Sequence, residues 1–269
     1  MGSFKNFLNK FALIDNQFDD NFLNNLTISD LVEIITFIDM LDYCQRHING
    51  FVIKEKNIII INRIIHHVFY NYIFHEKILR MMSSTINKQI VHICRAGDKR
   101  LTDKILISIA KYFPDLEILN ISWNNNITDA GIINFTNLKS LNAGICKNIT
   151  DFGLKYMEQL ETLHLQSNNN ITGVYFPKMK LLKELDISCC NKINSTYLHN
   201  RKFNKLSVCF NCSIDNDGIE KLKHVEYLDI SGNEKITDDI FFKLKTFNTV
   251  NASYNNKIKK RNNIVKIEN

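Results

Sequence analysis

The chain of 269 residues is poor in the residues that punctuate linkers, with only 2 prolines and 9 glycines. Tracts rich in those residues mark flexible or low-complexity segments, so none is expected and the parts of the chain should abut. A disulfide framework is missing as well. The 7 cysteines are an odd number and do not form the paired clusters that cap the ends of extracellular disulfide-bonded domains, which predicts a reducing, intracellular, cytoplasmic setting. There is no long apolar run: the most apolar stretch, Ile58 to Phe74, is broken by Asn62, Arg63, His66, His67 and Asn71, which excludes a bilayer span. Met1 to Asn16 has charges and asparagines where a secretory signal has an apolar core. Gly2 invites myristoylation, but Asn6 stands where that signal requires Ser or Thr. No membrane partner is expected. Nor does one sign of charge dominate, since 34 basic residues face 28 acidic ones for a net +6, and no specific nucleic-acid partner is expected.

What the chain has is repetition. A unit opens at Leu116-Glu117-Ile118-Leu119-Asn120-Ile121-Ser122-Trp123-Asn124, closes at Ile127-Thr128-Asp129, and restarts at Leu138, Leu160, Leu182, Phe203, Val225 and Phe247. Five of the six intervals are 22 residues and the fourth is 21. A fixed period of this length means stacked coils, each packed on its neighbours.

Within the frame L-x-x-L-x-L-x-x-N-x-x-I, Leu119, Leu141, Leu163, Leu185, Leu206, Leu228 and Val250 form one column, with Ile121, Ala143, Leu165, Ile187, Val208, Ile230 and Ala252 beside it. These are the inward residues of a short strand. Successive strand residues face opposite sides, so Asn120, Asn142, His164, Asp186, Ser207, Asp229 and Asn251 point outward. The next column reads Asn124, Cys146, Asn168, Cys190, Asn211, Asn233 and Asn255. Here the chain leaves the strand and its peptide groups lose their ladder partners. A side-chain amide supplies both donor and acceptor, so these asparagines are read as a structural ladder, with Cys146 and Cys190 as compact substitutes.

The second half of each unit places Ile132, Leu154, Phe176, Leu198, Ile219 and Phe241 three residues ahead of Phe135, Met157, Met179, Leu222 and Leu244 in five of the units. That spacing marks one face of a helical turn, and Thr-Asp at 128–129, 150–151 and 237–238 stands where N-caps belong. The fold class is therefore an α/β solenoid: a parallel concave sheet, short convex helices and a helical N-terminal cap. These units resemble leucine-rich repeats. The longer unit Leu101-Thr102-Asp103-Lys104-Ile105-Leu106 with Ala110-Lys111-Tyr112-Phe113-Pro114-Asp115-Leu116-Glu117 resembles the cysteine-containing type of F-box leucine-rich-repeat proteins. With a strand at Ile90–Ile93, the solenoid spans 86–258: one longer unit and seven repeats. Heavy use of Asn, Ile and Lys is similar to that of leucine-rich-repeat proteins from large DNA viruses or AT-rich protists.

Residues 1–85 are read as a helical cap region. Phe4, Phe7, Leu8, Phe11 and Ile14 mark one amphipathic helix; Thr27-Ile28-Ser29-Asp30 caps a second, carrying Leu31, Ile34, Ile35, Ile38, Leu41 and Cys44. A third runs over about 62–82. Leu31 to His47 resembles the central part of an F-box without its Leu-Pro entry, and also the C-terminal helices of a BTB domain. Three readings stay open: F-box, BTB-like segment or plain cap. The F-box resemblance implies a Skp-type ligase subunit as partner, docked through Ile35 and Ile38. Residues 259–269 form a basic tail; Lys257, Lys259, Lys260 and Arg261 are read either as a nuclear-import signal or as a solvated end cap.

No catalytic constellation, metal site or cofactor is expected. His164 has Asn142 and Asp186 as neighbours in adjacent coils and no nucleophile beside it. Cys209-Phe210-Asn211-Cys212 has C-x-x-C spacing with Cys189-Cys190 one coil earlier, but the register points these thiols in different directions. What remains is surface. The concave strand face carries Glu117, Glu161, Glu184, Asp186, Glu226 and Asp229 against Lys139, Lys183 and Lys205, with Trp123, Ile145, Phe210 and Tyr254 along its edge and Tyr227 nearby. Trp123, His164, Asp186, Phe210, Tyr227, Asp229 and Tyr254 are the candidate contacts for a protein partner, because exposed aromatics are the commonest anchors.

Overall fold

The computed structural model describes residues 92–243, 247–259 and 266–268. The chain divides into two units, Met1–Asn87 and Lys88–Asn269, and every described residue belongs to the second. The helices read over 1–85, with Ile35 and Ile38, lie outside the described residues, as do Lys260 and Arg261.

The described strands form one parallel sheet in chain order: β1 (His92–Cys94), β2 (Ile118–Asn120), β3 (Ser140–Asn142), β4 (Thr162–His164), β5 (Glu184–Asp186), β6 (Lys202–Ser207), β7 (His224–Asp229), β8 (Thr249–Asn251) and β9 (Lys266–Glu268). Ile93, Leu119, Leu141, Leu163, Leu185, Leu206, Leu228 and Val250 stand opposite one another across it and are buried. Fully burying one such aliphatic side chain contributes about 1.5–3 kcal/mol, so the row is the spine of the core. Ile121 to Ala252 form a second buried row.

Three details differ from the sequence reading. β1 runs one residue past the expected strand, to Cys94, with Ile93 opposite Leu119. In this first coil Arg95 stands where the next coil has Ile121, buried and ion-paired to Asp98 at 3.7 Å. β9 lies within the stretch read as a tail, with Ile267 opposite Val250; a three-residue strand with one apolar residue is too brief to leave a pattern.

The 21-residue interval contains Asn200, which adopts φ +61° and donates its N–H to Lys221 O at 2.8 Å. The chain turns there and enters β6 at Lys202, earlier in its coil than β2 to β5 do.

The return segments are one full helix, α1 (Asp103–Tyr112), and short α2 (Asp129–Ile132), α3 (Asn216–Glu220) and α4 (Ile240–Lys243). In three coils the expected helix is a 3₁₀ turn: Asp151–Leu154, Phe176–Lys178 and Ser195–Leu198. A 3₁₀ turn rises about 2.0 Å per residue against about 1.5 Å for an α-helix, so a short coil returns with fewer residues.

Thr128 and Thr150 cap their turns, their hydroxyls accepting from Ala130 N and Phe152 N. The aspartates do more than sequence reading assigned them. Asp103 accepts the N–H and hydroxyl of Thr128 at 2.9 and 2.6 Å, Asp129 those of Thr150 at 2.8 and 2.6 Å, and Asp151 those of Thr172 at 2.9 and 2.8 Å. Each carboxylate thus ties its coil to the next, and such charge-assisted bonds are about twice as strong as neutral ones. The signal for this tie was the recurrence of Asp and Thr at nearly the repeat period.

Candidate partner-binding face

Where each strand ends, the Asn/Cys column reaches back to carbonyls of the preceding coil. Asn124 Nδ2 donates to Arg95 O at 2.6 Å, Asn168 to Ala143 O at 2.7 Å, Asn211 to Ile187 O at 2.9 Å and Asn255 to Asn233 O at 2.7 Å. Asn233 reaches Val208 O and Ile214 O. The thiols of Cys146 and Cys190 donate to Ile121 O at 3.1 Å and Leu165 O at 2.9 Å. All seven side chains are buried.

Burial pushes the Cys146 thiol up to about 11 and the Cys190 thiol up to about 12. Burial and the Asp229 carboxylate raise Cys209 to about 11. Burial thus favours the thiol form, the less nucleophilic one, near neutral pH. Cys190 is buried, Cys189 and Cys209 are half-buried, and Cys212 is exposed. Among the described residues no group of three or more His, Cys, Asp and Glu side chains is placed to hold a metal ion.

A raised folded-state value has a definite linkage sign. The unfolded thiols ionise near 9.0 while the folded ones stay protonated, so their stabilising contribution is complete below pH 9.0 and is lost as pH rises through the folded values. Replacing both cysteines by asparagine, the ladder's usual residue, is expected to flatten the alkaline part of the stability–pH curve relative to the parent. Urea unfolding across that range measures the difference; parallel curves would contradict it.

One residue before the ladder position, the backbone turns left-handed in every coil. Gly97, Trp123, Ile145, Ser167, Cys189, Phe210, Gly232 and Tyr254 have φ between +48° and +67°. The cause lies in the backbone. From Gly97 to Gly232 each of these residues donates its N–H to the next coil, for example Trp123 N to Gly144 O at 2.8 Å and Phe210 N to Ser231 O at 2.8 Å. The side chain is irrelevant to that bond, since glycine serves at 97 and 232. A non-glycine residue costs about 1–2 kcal/mol in this conformation, and β-branched Ile145 is a marked exception to ordinary preference. Yet Trp123 is 65% exposed, Phe210 52% and Tyr254 81%. Large apolar side chains stand in water at positions where the backbone favours none. The Phe210 ring lies over Gly232, where an added Cβ would collide with it.

The outward strand positions hold the other candidates. His164 is half-buried between Asn142 and Asp186 in register. Asp186 is engaged by other side chains: Oδ2 accepts from Gln166 Nε2 at 2.6 Å, and Oδ1 accepts the N–H and hydroxyl of Ser188 at 3.0 and 2.6 Å. Asp229 serves Ser231 in the same way, at 3.0 and 2.6 Å. Both aspartates therefore brace their own turns as well as facing outward. Lys205 Nζ sits 5.5 Å above the half-buried Tyr227 ring. Lys257 and Lys259 are exposed beyond β8.

Row, turn and return together define a solenoid of leucine-rich repeats. The chain is a leucine-rich-repeat protein: the family model described as Leucine Rich repeat matches residues 114–135 and 221–244. No curated protein matches the chain in sequence. A chain of the yeast Rad7–Elc1 complex is similar in structure, with a TM-score of 0.51 and 16% identity over 64% of this chain and 50% of its own. An internalin (inlF) from Listeria monocytogenes gives a TM-score of 0.46 and 18% identity, covering 74% of this chain and 73% of its own. TLR13 in its complex with ssRNA13 gives 0.43 and 14%, covering 60% and 28%. This chain spans half the length of the yeast one, and the likeness is one of fold. Among the described residues no helix is long and apolar enough to cross a membrane.

Proposed function

We propose that the chain is a non-catalytic interaction protein that binds a protein partner on the strand face and its left-handed edge. The observation that carries this reading is the exposure of Trp123, Phe210 and Tyr254 at turn positions where the backbone prefers glycine. Residues held in costly conformations cluster at functional sites. Seven strands, β2 to β8, at about 4.8 Å spacing give a face about 30 Å long. That is enough for a partner surface of about 800 Å².

The test is affinity capture with the full-length protein, followed by identification of what co-purifies. Trp123→Asn with Tyr254→Asn is expected to lose the partner, whereas Phe152→Asn with Phe242→Asn, in the return segments, keeps it. Retention by the first pair would contradict the reading.

A second reading gives this binding a purpose: delivering a target to a ubiquitin ligase. Its support is the resemblance of the repeats and of residues 31–47 to F-box proteins, together with a fold neighbour that was crystallised in complex with a second protein. On this reading a Skp-type subunit co-purifies, and Ile35→Asp or Ile38→Asp removes it while the target stays bound. On the alternative, a stand-alone binding module, no such subunit is recovered.

A further inference from the structure

Charge is unevenly placed on the strand face. Over β2 to β4 the outward strand residues include no Asp, Glu, Lys or Arg, and beside them Lys139 pairs with Glu117 and Lys183 with Glu161, each at 2.6 Å. Over β5 to β7 the sign becomes negative. Glu184, Asp186, Glu226 and Asp229 lie on β5 and β7, with Lys202 and Lys205 on β6 between them, although the chain as a whole carries +6. Ser188 and Ser231 each donate to one oxygen, Oδ1, of the two aspartates. Four carboxylates, two on β5 and two on β7, outnumber the two lysines of the strand between them, on a sheet with low-dielectric core behind it.

Resting on the protein-binding reading above, we infer that this face takes a lysine- or arginine-bearing peptide segment of its partner. The partner's cations lie over the carboxylates of β5 to β7, and its apolar side chains lie against the edge formed by Trp123, Phe210 and Tyr254. Charge complementarity selects this occupant. An acidic segment meets the carboxylates at a cost, and nucleic acid, with a phosphate at every nucleotide, is repelled for the same reason.

Trp123 is the chain's single tryptophan, and its exposure makes its emission a direct reporter of the edge. The experiment titrates two short tryptophan-free peptides into the full-length protein. Both are built from leucine, alanine and one charged residue, lysine in one and glutamate in the other. The lysine peptide is expected to shift Trp123 emission to the blue and to bind at least about tenfold more tightly than the glutamate peptide. That preference shrinks between about 0.05 M and about 0.5 M salt, as screened charges require. The Glu184→Lys, Glu226→Lys double variant, with melting unchanged, is expected to lose the preference.

The inference is overturned if the lysine peptide does not bind, or if the glutamate peptide or a single-stranded RNA binds as well or better. A lysine preference that survives in the double variant overturns it too. Should the Trp123 and Tyr254 variants lose a captured partner whose contacting segment is neutral or acidic, only the basic-segment inference fails. Should they lose nothing, the protein-binding reading fails first.

Discussion

Asn211→Leu is expected to destabilise the repeat region by about 3 kcal/mol or more, enough to unfold the coils around β6 at moderate temperature. The shapes are similar, so the effect is one of polarity. Asn211 Nδ2 donates to Ile187 O and Cys190 O, both at 2.9 Å, while Oδ1 accepts from Ser213 N at 2.9 Å and Ile214 N at 3.2 Å. Leucine would leave these groups without that partner in a buried turn, each at a cost of about 1–3 kcal/mol, less whatever water can repair. Coils contact only their neighbours, so the loss propagates through the stack. Asn211→Cys, which copies the residue found at 146 and 190, keeps one donor and is expected to lose far less. Denaturant unfolding followed by circular dichroism separates the two. Equal midpoints for Asn211→Leu and the parent would show that the ladder is ornamental.

Trp123→Asn is expected to do the reverse: to leave stability unchanged or raise it by up to about 1 kcal/mol, while weakening partner binding by about 30-fold or more. Asparagine tolerates a left-handed backbone better than tryptophan does, and a side chain 65% exposed forfeits little burial when removed. Binding behaves differently, because anchor residues at an interface commonly contribute 2 kcal/mol or more, which is about 30-fold in affinity. A residue that stabilises the fold cannot produce this pair of results. If Trp123→Asn melts well below the parent, the indole is part of the packing of its turn and the account of the edge is wrong.

The strand row and the Asn/Cys column were legible in the sequence because each is repeated at a fixed interval and each obeys one physical demand. Leu119 through Val250 must be apolar, and Asn124 through Asn255 must be polar or compact. The left-handed column was not legible. Its usual markers are glycine and asparagine, and here it reads Gly, Trp, Ile, Ser, Cys, Phe, Gly, Tyr, so only Gly97 and Gly232 betray the backbone. Trp123, Phe210 and Tyr254 stand out in the sequence as edge aromatics, but their conformational cost comes from a backbone turn that their residue types do not mark.

Periodicity placed Asp186 beside His164, as the register has it, but gave no sign that the carboxylate is held by Gln166, two residues on from His164. A register gives heights along a strand, and side-chain length then decides which neighbour reaches. The tie from Asp129 to Thr150 was hidden by its own success as a capping motif, since an N-cap explains the threonine and asks nothing more of the aspartate.

The most direct test of the central claim is photocrosslinking from single positions of the full-length protein to its captured partner. A photoreactive phenylalanine analogue placed at Trp123, Phe210 or Tyr254 is predicted to crosslink the partner, and the same analogue at Phe152 or Phe242, equally exposed in the return segments, is predicted not to. Crosslinks confined to Phe152 and Phe242 would place the partner on the outer side of the solenoid and contradict the account.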